Sequence, residues 1–241
     1  MKHRFKEIFS DVFQKNGLYG YIHDDNVEKF WNLTQLMLET NAVMNITAIT
    51  DVEKIIPLHY ADCVKIADLI PQNASVVDIG CGGGFPILPL AIVRPDLCLL
   101  GIDSTEKKAR YVGETAKKMG LQVKTVAGRA EELAKDPNMR QSFDVAISRA
   151  VARLNILDEL CMPFVKPNGC FIAMKGAAGI EEYQEAETGI HKLGGERIKA
   201  EAYELLTVDQ REQRTVFVIR QNKVVSDVYP RPFAAMKKKP L

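Results

Sequence analysis

The chain has 241 residues, 46% hydrophobic and 26% charged, with 16 Gly and 11 Pro. That suits one large domain, or one domain with an appendage, and excludes disorder, collagen and repeat arrays. Lys+Arg 32 against Asp+Glu 31 leaves a net charge of +1, which neither announces nucleic-acid binding nor forbids it, because binding needs a local patch rather than a net excess.

No apolar run approaches the ~20 residues needed to span a bilayer; Ile87–Val93 is short and interrupted by Pro89. The charged start, Met1–Glu7, is not followed by an apolar segment, so neither membrane association nor a secretory signal is expected, and a cytoplasmic location is. Five scattered cysteines without a C-x-x-C, and four scattered histidines, predict neither a disulfide framework nor a metal site.

Up to about residue 70 the pattern is helical. Ile8, Phe9, Val12 and Phe13 make one apolar face, and Val27, Phe30, Trp31, Thr34 and Leu38 make another, with Asp24, Asp25 and Asn26 as candidate N-caps. A third helix is expected from about Lys54 to Ile70, and Asn41–Ile49 reads as a loop. Residues 1–70 are therefore expected to form a helical extension packed on the core of a domain over 71–241.

From Ser75 the period changes. Short β runs are expected at Ser75–Gly80, Leu97–Asp103, Gln122–Gly128, Phe143–Arg149 and Gly169–Lys175, with a late strand at Arg214–Arg220. Helical patterns lie between them at Thr105–Met119, which Gly120 stops, and at Asn155–Val165 and Gly179–Leu193. This alternation predicts an α/β fold, an open, mostly parallel sheet with helices on both faces. Glu196–Leu206 and Arg214–Arg220 read as an antiparallel pair at its edge.

The densest chemistry is Val76-Val77-Asp78-Ile79-Gly80-Cys81-Gly82-Gly83-Gly84-Phe85-Pro86. It follows a strand and opens a helix, the context in which glycines let backbone approach a ligand and a helix start offers free N–H groups. Asp103 ends the next strand, where an acid can accept the two hydroxyls of an adenosine ribose. Gly80 and Gly82 fit a dinucleotide fingerprint, but Phe85 stands where its third glycine belongs. The remaining D-x-G-x-G-x-G pattern resembles the class I S-adenosylmethionine-dependent methyltransferases.

Further stretches narrow the resemblance: Asn45–Ile49, His59-Tyr60-Ala61-Asp62, Gly80–Pro86, Asp103–Lys108, Arg129-Ala130-Glu131-Glu132, Ser148–Ala152, Met174-Lys175-Gly176 and Tyr229-Pro230-Arg231. In order and spacing they resemble the bacterial 16S rRNA guanine-N7 methyltransferases, the RsmG family, formerly GidB. The resemblance implies a Rossmann-like, seven-stranded, mostly parallel sheet with an antiparallel last strand, S-adenosylmethionine as donor, and a guanosine of small-subunit rRNA as acceptor. It also implies that Gly80, Gly82 and Phe85 line the cofactor, that Asp103 holds its ribose, that Ala130 and Glu131 flank its adenine, and that Arg149 reaches it from a strand end. Three residues depart from the family pattern: Ile87 and Ala234 stand in place of glycine, and Met236 in place of proline.

The resemblance also fits what is missing. Cytosine C5 requires a cysteine nucleophile after the fourth strand, and exocyclic amines are served there by an (Asp/Asn)-Pro-Pro-aromatic turn; this chain has Ala150-Val151-Ala152. Guanine N7 has a lone pair and no proton to remove, so it needs positioning rather than a base. Arg149 and Lys175 are the candidate catalytic residues, with a structural ion pair, for instance to Glu131, open for the first and a solvated strand end for the second. Asp62 and His59 are expected to make a buried polar contact that fixes the helical extension. Lys107, Lys108, Arg231, Lys237, Lys238 and Lys239 are candidate RNA contacts, with Pro230–Pro240 expected to be a mobile phosphate-binding arm. A monomer is expected. A small-molecule methyltransferase and a non-catalytic ribosome-assembly module are the alternative readings.

Overall fold

The computed structural model describes residues 1–241. Ahead of the first strand the helical periodicity is realised. Helix α1 (Lys2–Lys15) buries Phe5, Ile8, Phe9, Val12 and Phe13, and α2 (Asp24–Asn41) buries Val27, Phe30, Leu33, Thr34 and Met37. Phe9 stacks on Phe13 with centroids 3.9 Å apart, and Phe30 packs against both rings. The cap of α2 is His23, whose side chain accepts from the Asn26 N–H. Asp24 and Asp25, expected as caps, fall instead in the first turn, where carboxylates meet the positive end of the helix dipole.

The single helix expected over Lys54–Ile70 is broken. Helix α3 (Val52–Ile55) widens into a π turn at Ile56–Ala61, passes through α4 (Asp62–Val64) and ends in a 3-10 turn at Ala67–Leu69. Pro57 lies in the widened turn, and a residue with no N–H cannot keep a regular ladder there.

Seven strands form one sheet: β1 (Ser75–Ile79), β2 (Cys98–Asp103), β3 (Val123–Ala127), β4 (Phe143–Arg149), β5 (Val165–Lys175), β6 (Gly195–Leu206) and β7 (Arg211–Gln221), in the order β3-β2-β1-β4-β5-β7-β6. Every pairing is parallel except those of β7 with β5 and β6. Strand β5 starts earlier than expected because Val165 pairs with Phe143 across an irregular register. Between strands run α5 (Ile87–Val93), α6 (Glu106–Met119), α7 (Ala130–Leu133), α8 (Leu154–Cys161) and α9 (Gly179–Lys192). Gly120, at φ +67°, stops α6 as expected.

Alternate residues of each strand face opposite sides. Val76 and Val145 join an apolar cluster with α1, α2, the broken helix, α5 and α6, while Val77 and Ala146 join one with α8 and α9. The N-terminal helices thus pack into the same core as one face of the sheet. Ile87 is fully buried at the start of α5 and fills the space beside Gly101. The chain reverses direction of travel between β1 and β4, opening a crevice at their C-terminal ends. No helix is long and apolar enough to cross a membrane.

The C-terminal segment is docked, which corrects the expectation of a mobile arm. Helix α10 (Phe233–Lys238) buries Met236, and Arg231 makes paired hydrogen bonds to the fully buried Glu159 of α8 at 2.6–3.0 Å and reaches the Lys239 carbonyl. Arg231 is therefore a tail anchor rather than a free cation, while Lys237, Lys238 and Lys239 stay exposed. Replacing Arg231 with Ala strands a buried carboxylate. It should cost about 3 kcal/mol in urea denaturation, the lower end for a broken buried pair because Arg231 is partly in water. Replacing Lys237–Lys239 with Ala should change stability by less than about 0.5 kcal/mol.

Candidate functional site

The loop after β1 is tied back to the sheet edge by the Gly80 and Cys81 N–H groups, which both donate to the Ile102 carbonyl at 2.8 and 2.9 Å. Gly80 has φ +77°, and a Cβ there would lie 2.4 Å from Val151 Cγ2, so both conformation and space demand glycine. Asp103, at the end of β2, accepts the Gly82 N–H on one oxygen at 2.9 Å and the Thr105 N–H on the other at 2.8 Å. Each oxygen keeps acceptor capacity for a further donor. Asp78 is fully buried beneath the loop, and neither of its oxygens makes a well-formed hydrogen bond, the Ile87 N–H being the one backbone donor that acts on it. Burial lifts its carboxyl from the ordinary 3.8 to about 7, against the opposing pull of Arg149.

Arg149, at the end of β4, is the hub between sheet and helices. Its Nη1 donates to the Leu58 carbonyl at 2.7 Å and to Asp62 Oδ2 at 3.0 Å, and its Nη2 donates to His59 Nδ1 at 3.4 Å. His59 Nε2 lies 2.9 Å from Thr47 Oγ1, so both ring nitrogens face a polar partner. Burial, aided by Arg149, drops the His59 imidazole to about 3, and its ring stacks on Phe85 at 4.3 Å. Asp62 also takes the Tyr203 hydroxyl at 3.0 Å and lies 3.4 Å from Arg214 Nε, which joins β6 and β7 to the same group. The buried polar contact expected of Asp62 and His59 is present, with Arg149 as its centre. The Glu131 partner suggested for Arg149 is not used; Glu131 lies 3.7 Å from Arg129.

Three adjoining hollows follow the sheet edge. Gly80, Gly82, Phe85, Asp103 and Arg149 line one of about 400 Å³, together with the half-buried Lys108. Ala130 and Glu131 line a smaller one of about 170 Å³ that shares Gly80, Asp103 and Val151 with the first. Lys175 lies in a third, of about 590 Å³, which shares His59, Arg149 and Val151 with the first. Lys175 is not the solvated lysine suggested by its position, because its ammonium donates to the Ala152 carbonyl at 2.6 Å and pairs with Glu182 at 2.8 Å. Lys107 lies exposed outside these hollows.

Sequence reasoning passed over Val151, which stands where all three hollows meet. Ala150 before it adopts φ +58°, a strained turn for a residue with a Cβ, and nothing in an Ala-Val-Ala string marks that. Tyr203 and Glu182 were missed as well, since each meets the site only through tertiary packing.

A family profile described as rRNA small subunit methyltransferase G, GidB, matches residues 26–213. The chain belongs to this family. Its relatives include the ribosomal RNA small subunit methyltransferase G of Brevibacillus brevis, 38% identical over 98% of this chain and 99% of that one. The Oceanobacillus iheyensis protein of the same name is 37% identical over 98% of each chain. Among solved structures, an O-methyltransferase from Bacillus cereus in complex with SAH superposes with a TM-score of 0.57 at 15% identity, covering 91% of this chain and 100% of that one. At that identity the likeness shows the fold, which is the class I methyltransferase fold.

The family's hollows rest here on the Asp62–Arg149 pair, in which Asp62 is almost fully buried. Asp62→Ala should cost about 3–5 kcal/mol in urea denaturation because it leaves a buried guanidinium without its carboxylate. The double variant with Arg149→Ala should lose at least about 1 kcal/mol less than the sum of the two singles. Strictly additive losses would show that the pair is not coupled.

Proposed function

We propose that the protein transfers the methyl group of S-adenosylmethionine to N7 of a guanosine in 16S rRNA of the small ribosomal subunit. The observation that carries this reading is the crevice of a member of this family: a glycine loop with an acid at the end of the next strand, above a buried carboxylate that has no protein partner. A cation fits such a carboxylate, and the cofactor offers two, an ammonium and a sulfonium. Gly80, Gly82 and Phe85 would line the cofactor, Asp103 would accept its ribose hydroxyls, Ala130 and Glu131 would flank its adenine, and Arg149 would face its carboxylate. When bound, the cofactor supplies an electrophilic methyl on a positively charged sulfur.

The chain's own residues supply alignment. N7 brings a lone pair and no proton, so no side chain has to act as a base, and proximity supplies the rate. His59 suits a positioning role, because both its ring nitrogens are engaged and it stays neutral across the physiological range. Phe85, stacked on His59 with the Arg149 guanidinium 5.8 Å from its centroid, is an apolar wall of the cofactor-side hollow. The cations Lys107, Lys108, Lys237, Lys238 and Lys239 are candidate phosphate contacts. Charged side chains stud the exposed edge strand β6, among them Glu196, Arg197, Lys199 and Glu201, which discourages edge pairing and supports a monomer. A ribosomal substrate supports action in the cytoplasm.

Incubating the protein with methyl-labelled S-adenosylmethionine and small subunits that lack the modification should put one methyl on N7 of a single guanosine, read by base-specific cleavage at the methylated site. No transfer, or transfer to another base atom, would overturn the reading.

A further inference from the structure

The largest hollow, the one that holds Lys175, has a charge pattern that the cofactor does not need. Its cations are matched by carboxylates: Arg149 by Asp62, Lys175 by Glu182, Arg214 by Glu212 at 2.6 Å, and the exposed Arg153 by Glu185, which stands outside the lining, at 2.7 Å. A hollow so neutralised is a poor phosphate site, since a phosphate would meet three carboxylates. It suits an uncharged group with both donors and acceptors. Its volume of about 590 Å³ takes a flipped-out nucleotide base, and Ile49, Leu58, Val151 and Met174 provide apolar surface for a ring to lie on.

The Lys175–Glu182 pair keeps one function of each kind unspent. Glu182 Oε2 accepts the Leu154 N–H at 2.9 Å and lies 2.8 Å from the Lys175 ammonium as an ion pair, and Oε1 has no protein partner. The Lys175 ammonium donates one of its three protons in a hydrogen bond, to Ala152 O, and is otherwise held by its ion pair with Glu182. A donor therefore stands beside an acceptor, the first on a buried and the second on a half-buried side chain. The Watson–Crick edge of guanine is the complement, with O6 as acceptor next to the N1–H and N2–H donors. Adenine presents the reverse, an N6–H donor beside the N1 lone pair, which would face the ammonium with a donor and the carboxylate with a lone pair.

We propose that Lys175 and Glu182 are the residues that select guanine, Lys175 donating to O6 and Glu182 accepting from N1–H and N2–H. This rests on the reading of the protein as a guanine-N7 methyltransferase. Held by that edge, the base keeps its N7 free on the opposite side of the ring. The hollow adjoins the cofactor-side one at Arg149 and Val151, through which N7 and the methyl group would meet. Alkylation leaves a positive charge on the purine, and the hollow's carboxylates stabilise it.

The test uses the full-length protein and small-subunit RNA ligated to carry guanosine or inosine at the target position; inosine keeps O6, N1–H and N7 and lacks only the 2-amino group. Wild type should favour guanosine by about tenfold or more in kcat/KM, because a site built to accept that amine leaves a buried acceptor unpaired without it. Glu182→Gln, whose carbonyl can still accept the Leu154 N–H, and Glu182→Ala should both lower kcat/KM on guanosine RNA and shrink the preference to within about twofold, with S-adenosylhomocysteine affinity unchanged. Wild type that treats both RNAs alike, or variants that lose activity on both in equal proportion, would overturn the assignment. Wild type that methylates neither would instead defeat the functional reading on which it rests.

Discussion

A carboxyl group without a partner sets the terms of this molecule. Burying an ionised carboxylate away from water is among the costliest acts in folding, and proteins normally offset it with donors or a countercharge. Asp78 has neither in contact: both oxygens are buried and unpartnered, and the group answers by holding its proton up to about pH 7. Most of the surrounding backbone is turned elsewhere, and only the Ile87 N–H, at the start of α5, pulls against the raised value from within. The Gly80 and Cys81 N–H groups turn to Ile102, and the Gly82 N–H goes to Asp103. Asp78 lines none of the hollows, so a cation brought into the crevice at this strand end would act on it across the glycine loop.

The second constraint is the tie between helices and sheet. Arg149 leaves the end of β4 and spends its guanidinium on a carbonyl, an imidazole and a carboxylate, all from the stretch Leu58–Asp62. That stretch spans the π turn and the start of α4, so the irregular backbone and the polar hub coincide. Asp62 reaches on to Tyr203 and Arg214, so a single buried carboxylate joins the N-terminal helices, the fourth strand and the antiparallel edge. The hollows lie around this hub, which makes the N-terminal helices a wall of the site as well as part of the core.

Local periodicity carried most of the fold. β4 coincides with its expected span, the other strands fall within a few residues of theirs, and the stop at Gly120 follows from a residue free to adopt positive φ. The glycine loop and Asp103 were legible because their chemistry is local to two strand ends. What was not legible depends on partners far along the chain. Arg231 reads as a free cation until Glu159, 72 residues earlier, is found buried against it. Lys175 reads as solvated until α9 brings Glu182 beside it. The π turn is hidden because Pro57 can also open an ordinary helix, and Val151 because its placement comes from the backbone turn at Ala150.

If Asp78 awaits a cation, proton linkage reads its arrival. With its folded-state value raised to about 7, Asp78 is protonated in roughly half of the molecules at pH 7, and a neighbouring cation favours the ionised form. Binding of S-adenosylhomocysteine, whose ammonium is such a cation, should therefore release up to roughly half a proton at pH 7. Titration calorimetry in two buffers of different ionisation enthalpy reads this number, and the release should vanish in Asp78→Asn. Binding that moves no proton in the wild type, or moves as many in the variant, would contradict the account.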